Sequence, residues 1–69
     1  MRERNPEGIV MEALAGARFR VQMDGGTDVI CYLAGKMKVR RIQVYVGDRV
    51  EVVLDPAGGK ATNRIVWRK

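Results

Sequence analysis

A chain of 69 residues, 46% hydrophobic and 30% charged, makes one small globular domain with a thin core, because a chain near this size buries only about 60% of its unfolded surface. It has no histidine, no serine and one cysteine, Cys31, which excludes the usual activated nucleophile, the commonest metal ligand, an internal disulfide and an intrachain thiolate cluster. Lysine and arginine outnumber aspartate and glutamate by 13 to 8, a net charge of +5, and such a balance favours polyanionic partners.

Residues 1–6, MRERNP, alternate in charge and end at proline, so they are expected to be a flexible N-terminal arm ahead of one domain over 7–69. They lack the apolar segment of a secretion signal, and no run in the chain approaches the ~20 apolar residues that cross a bilayer. A cytoplasmic protein with no membrane contact is expected.

Five strand-like runs follow: EGIVMEAL (7–14), RFRVQMD (18–24), TDVICYLA (27–34), RVEVVLD (49–55) and NRIVWR (63–68). The phase of the first is ambiguous, with Val10 and Leu14 competing against Ile9 and Met11 for the core. In the second, Phe19, Val21 and Met23 alternate with Arg18, Arg20, Gln22 and Asp24, which predicts one core face and one wet face. The third is apolar on both faces, as in a strand covered on both sides; Cys31 lies in it as a small core residue. The fourth places Val50, Val52 and Leu54 inward. The fifth places Ile65 and Trp67 inward, opposite Arg64 and Arg68.

AGA, DGGT and DPAGGKATN separate these runs as loops, and Gly25-Gly26 suits a tight hairpin turn. The third and fourth runs are joined by residues 35–48, too long for a hairpin and suited to a short helical turn with an extended return. Five short alternating strands with their one long connection after the third predict an all-β OB-fold barrel, five-stranded, with a short helical turn between strands three and four. An SH3-like barrel is the structural competitor.

The long connection also carries the charge. Lys36, Lys38, Arg40 and Arg41 give a net +4 within residues 36–41, so the other 63 residues carry only +1. The wet-face arginines Arg18, Arg20, Arg64 and Arg68 can join that cluster where their strands are neighbours. Such a surface neutralises phosphates and releases condensed counterions, and guanidinium groups also stack on bases or grip phosphate in a two-pronged fashion.

Tyr32 and Tyr45 fall on the parity opposite to Val29, Cys31 and Leu33 and to Ile42, Val44 and Val46, which makes them the aromatic candidates for meeting a base. The four aromatic residues, Phe19, Tyr32, Tyr45 and Trp67, are too few for the stacking strip of a general single-strand binder. Docking onto an already folded RNA fits better. No catalytic, metal or cofactor pattern is present, and neither glycine pair has phosphate-loop spacing.

GIVMEAL, FRV followed by an acid-and-glycine turn, YLAGKMK, GDRVEV and the closing RIVWRK together resemble bacterial translation initiation factor one over residues 8–69. The resemblance implies an OB-fold factor that binds the small ribosomal subunit at the aminoacyl-tRNA site, against the decoding region of its rRNA and a neighbouring ribosomal protein. Such a factor blocks premature tRNA entry and assists initiator tRNA selection with initiation factors two and three, as a monomer. It also implies that Lys36, Met37, Lys38, Arg40 and Arg64 face the RNA. The chain departs from the family pattern at Tyr32, where a histidine is common, at Arg41, in place of an aromatic, at Gln43, in place of an arginine, and in the DPAG turn. Two other readings of the same residues are a single-stranded RNA chaperone of cold-shock type and a protein-interaction barrel.

Overall fold

The computed structural model describes residues 5–55 and 63–69. Five strands and one short helix run in the order β1 (Glu7–Leu14), β2 (Arg18–Met23), β3 (Asp28–Leu33), α1 (Gly35–Val39), β4 (Arg49–Val53) and β5 (Asn63–Arg68). The strands close into a barrel in the order β1-β2-β3-β5-β4. Every contact between neighbouring strands is antiparallel except β3 with β5. This is the all-β barrel predicted, with its helical turn in the predicted connection. The loop centred on Gly58-Gly59 and the first four residues of the N-terminal arm lie outside the described residues. Pro6, the last residue of that arm, accepts a hydrogen bond from the Val52 amide at 2.9 Å and so joins the barrel wall.

Val10, Val21, Cys31, Val50, Val52 and Ile65 are fully buried along the axis, one or two from each strand, and Met37 of α1 is buried with them. Gly8 shows how tightly the wall closes. A Cβ there would stand 2.6 Å from the Gln22 carbonyl oxygen and 2.7 Å from Val21 Cγ1.

Two bulges decide the phases that alternation left open or misplaced. In β1, Val10 faces Val21 but Glu12 faces Arg20, so Met11 is an extra residue. Val10 therefore takes the core, Met11 turns outward, and Leu14 no longer shares Val10's face. In β5, Ile65 faces Val52 and Trp67 faces Glu51, which makes Val66 the extra residue. Ile65 and Val66 are both buried and Trp67 is 45% exposed, so the expectation of an inward Trp67 is corrected.

Leu54 is corrected too. It follows the last residue of β4 and is exposed, because the chain has left the ladder that fixed its parity. Val46 is exposed for a similar reason, lying in a turn rather than on an alternating segment. Nor is β3 covered on both sides: Cys31 is buried, while Ile30 and Tyr32 on the outer face are half-buried.

The return from α1 to β4 is pinned to β1. Gly47, at φ +95°, donates its amide to the Val10 carbonyl at 2.8 Å, and the Val10 amide donates to the Asp48 carbonyl at 2.9 Å. The Asp48 carboxylate accepts from the Tyr45 amide at 2.8 Å, which explains the Gly-Asp pair ahead of β4. No helix among the described residues is long and apolar enough to cross a membrane.

Candidate nucleic-acid interface

The basic stretch is mounted on the barrel at two points. The Ala34 amide donates to the Ile65 carbonyl at 2.9 Å, tying the start of α1 to β5, and Met37 is fully buried beneath the helix. Met37 is thus the plug that seats α1. The expectation that it faces RNA is corrected, because its side chain is spent on the core. Its inward direction leaves Lys36, Lys38, Val39, Arg40 and Arg41 exposed around it.

The far end of α1 is closed by backbone bonds. Arg41 donates its amide to the Lys38 carbonyl at 3.1 Å and Ile42 to the Met37 carbonyl at 3.0 Å, the paired bonds of a Schellman ending. Arg41 occupies its left-handed position at φ 54°, where glycine is the usual residue. Lys36 and Lys38 also lie near this end, where the unpaired carbonyls favour cations.

Parallel pairing of β3 with β5 places Tyr32 opposite Arg64, and antiparallel pairing of β2 with β3 places Arg18 opposite Tyr32. Ala34 stands two residues beyond Tyr32, so this outer row borders the root of the basic helix. The fold therefore gathers Arg18, Tyr32 and Arg64 at the end of the barrel that carries Lys36, Lys38, Arg40 and Arg41. Among the described residues, no carboxylate pairs with any of these six cations.

Two of the predicted cations are engaged elsewhere. Arg20 donates from Nε to Glu12 at 3.2 Å and from Nη1 to Asp28 at 3.0 Å; these charge-assisted bonds, that to Glu12 foremost, raise its pKa. Arg68 donates from Nη1 to the Gln43 carbonyl at 3.4 Å and lies 4.0 Å from Asp48. The paired cations continue across the seam between β1 and β4. There Arg49 bridges Glu7 at 2.9 Å and Asp24 at 2.6 Å, and Lys69 reaches Glu7 at 2.8 Å. Arg20, Arg49, Arg68 and Lys69 thus have carboxylate partners, whereas among the described residues the six cations near α1 have none.

Tyr32 is half-buried and Tyr45 exposed; the Tyr45 hydroxyl donates to the Gln43 side chain. Asn63 escaped the sequence reading. It is buried, donates from Nδ2 to the Ile30 carbonyl at 3.1 Å and accepts from the Asp55 amide at 2.8 Å. It fixes β5 beside β3 immediately before Arg64. Its signal was a lone amide residue heading an alternating apolar run.

With this geometry in place, the comparison with known families is decisive. The family model described as translation initiation factor 1A / IF-1 matches residues 2–69. The chain belongs to this family. Over 50 residues it is 50% identical to translation initiation factor IF-1 of Nitrobacter hamburgensis, covering 72% of this chain and 54% of that protein. The same factor of Rhodospirillum rubrum is 48% identical, covering 72% and 53%. The chain spans about half the length of these curated relatives in the matched region.

The solution structure of the same initiation factor from the Wolbachia endosymbiont of Brugia malayi superposes with a TM-score of 0.72 at 35% identity, covering 91% of this chain and 72% of that one. Two larger chains contain a region of the same fold. YjeQ from Thermotoga maritima superposes with a TM-score of 0.74 at 28% identity over 93% of this chain and 22% of its own. YloQ, a circularly permuted GTPase, shares the fold with a TM-score of 0.76 at 21% identity, covering 93% and 22%.

Proposed function

We infer that this member of the IF-1 family acts in translation initiation as a non-catalytic wedge. It binds the small ribosomal subunit at the aminoacyl-tRNA site, against the decoding region of the rRNA and a neighbouring ribosomal protein. In that position it blocks premature tRNA entry and assists initiator tRNA selection together with initiation factors two and three. The family membership supports this reading, and one structural observation carries it. Among the described residues, the cations of the α1 end are free of carboxylates, whereas those of the β1 and β4 seam are paired.

A bare cluster held on a closed barrel is pre-arranged for a folded polyanion. Lys36, Lys38, Arg40 and Arg41 grip backbone phosphates and release counterions, with Arg18 and Arg64 extending the contact along the barrel wall. The protein surface buried on docking offsets the cost of separating stacked bases, a few kcal/mol each. Arg20 is left out of this contact set because its guanidinium already serves Glu12 and Asp28.

The test is binding to purified small subunits, with competition against tRNA for the aminoacyl site. Replacing Arg40 and Arg41 together by alanine is expected to weaken binding and flatten its salt dependence. Unchanged affinity and slope would remove the α1 loop from the contact, and failure of tRNA to compete would remove the proposed site.

A further inference from the structure

Among the described residues, Asn63 is the one buried polar side chain in an otherwise apolar interior. It heads β5 and stands opposite Cys31 of β3. Its Nδ2 donates to the Ile30 carbonyl on β3 at 3.1 Å, and its Oδ1 accepts from the Asp55 amide, just past the end of β4, at 2.8 Å. One carboxamide thus stitches three strands together at the head of β5. An apolar residue in its place could be buried in several arrangements, whereas a buried amide is tolerated only where its bonds are made, so it selects one of them.

β5 needs such a mark. Its pairing with β3 is parallel and covers Cys31 with Asn63, Tyr32 with Arg64 and Leu33 with Ile65, and a parallel ladder is the weaker kind per residue. Its apolar pattern does not fix its phase, because Ile65 and Val66 are both buried across the bulge against β4. A shift of one residue would turn Arg64 toward the interior, since side chains alternate along a strand. Arg64 follows Asn63 directly and stands between Tyr32 on β3 and Val53 on β4. The two strands that Asn63 ties together are the two that flank Arg64.

We propose that Asn63 is a positioning residue for RNA binding: its carboxamide pins the register of β5 and so holds Arg64 beside Tyr32, within the cation cluster of the α1 end, as a phosphate contact. Asn63 acts from inside the barrel and makes no contact with the RNA. The proposal rests on the RNA-binding reading above and deepens it, by separating the residue that sets one contact from the residue that makes it.

Two measurements test it, and the first needs no RNA. Nuclear Overhauser contacts between the backbones of Tyr32 and Arg64 report the register in the wild-type protein. Asn63→Ala is expected to abolish them while the contacts between β1 and β2 persist. The second measurement is the salt dependence of binding to purified small ribosomal subunits. Asn63→Ala is expected to lower the slope of log affinity against log salt concentration by about one unit, the share of one phosphate contact. Arg64→Gln is expected to do the same, and the two changes together to lower it no further, whereas Asn63→Ala combined with Arg40→Gln lowers it by about two. A residue that only added stability would leave the slope of the folded protein unchanged.

If Asn63→Ala unfolds, Asn63→Ser takes its place, because its shorter side chain keeps a polar group at the site without spanning both partners. Retained contacts between Tyr32 and Arg64, an unchanged slope, or a slope loss that adds to that of Arg64→Gln overturns the proposal. Unfolding of both variants also overturns it, since Asn63 would then support the whole barrel rather than the placement of Arg64. Wild-type protein without affinity for small subunits sinks the ribosomal reading instead, and the first measurement then decides whether Asn63 pins Arg64.

Discussion

Ile42 donates its amide to the Met37 carbonyl at 3.0 Å, so the exposed end of the basic helix is locked to the residue that plugs the core. The bond spans Arg41, whose left-handed conformation costs a non-glycine residue about 1–2 kcal/mol. Arg41→Gly is expected to raise the free energy of unfolding by about 0.5–1 kcal/mol, part of the relief being lost to backbone entropy. The same change removes a bare cation and is expected to weaken binding to RNA. Urea denaturation and subunit binding on one variant separate the two effects; a loss of stability would show that the Arg41 side chain supports the loop.

Gly8→Ala tests the closure of the wall. The added Cβ would meet two backbone atoms of β2 at 3.0 Å or less, the Gln22 oxygen and Met23 Cα, and backbone of a closed sheet cannot swing aside as a side-chain tip can. Overpacking of this kind costs about 1–3 kcal/mol. A urea midpoint within error of the wild type would mean that β1 and β2 separate more easily than their register implies.

Arg18 and Arg20 lie two residues apart on one strand and are expected to differ in salt response. A bare arginine that meets a phosphate contributes about one unit to the slope of log affinity against log salt concentration, whereas an arginine already paired with carboxylates releases no new counterions. Arg18→Gln should lower the slope for RNA binding, and Arg20→Gln should leave it unchanged while slightly lowering stability. Equal slopes in the two variants would contradict the division of charge across the surface.

Glu7 predicts an acid limb in stability. The hydrogen bond from Lys69 and then that from Arg49 lower its pKa below the ordinary 4.5, outweighing a partial desolvation that raises it. The folded state therefore binds its proton less readily than the unfolded chain does. The stabilisation is present above about pH 4.5 and is lost as pH falls through the lower folded value. Thermal melts in this range should show a shallower decline for Glu7→Gln than for the wild type, and matching curves would remove Glu7 as a source of the limb.

Cys31 is fully buried, and burial pushes its thiol up to about 11. The thiolate is the reactive form, so the native protein is expected to resist thiol-specific reagents at pH 8 and to react fully in denaturant. Fast modification of the native state would mean that β3 opens locally.

The architecture was legible because five short alternating runs and one long connection leave few ways to close so small a chain. Local order also located the basic stretch, since Lys36, Lys38, Arg40 and Arg41 are near neighbours in sequence. The misplaced residues have non-local causes. Trp67 points outward because Val66 is an extra residue against β4, and nothing within NRIVWR marks the slip. Arg20 is spent on Glu12 and Asp28, partners set by pairing across three strands, while Arg18 on the same wet face escapes. Met37 had a readable signal: it is the apolar residue between two lysines in a helical turn, and one turn of helix has one inward position.

The position of β5 between β3 and β4 sets an order of assembly during synthesis. As the nascent chain emerges from the ribosome, β3 and α1 appear long before residues 63–68, yet β3 needs β5 along one side, and α1 needs the Ile65 carbonyl to hold the Ala34 amide. The end that carries the bare cations is therefore completed only once β5 has emerged. An incompletely translated copy lacks both the wall strand and Arg64, so it has neither the closed barrel nor the full set of unpaired cations.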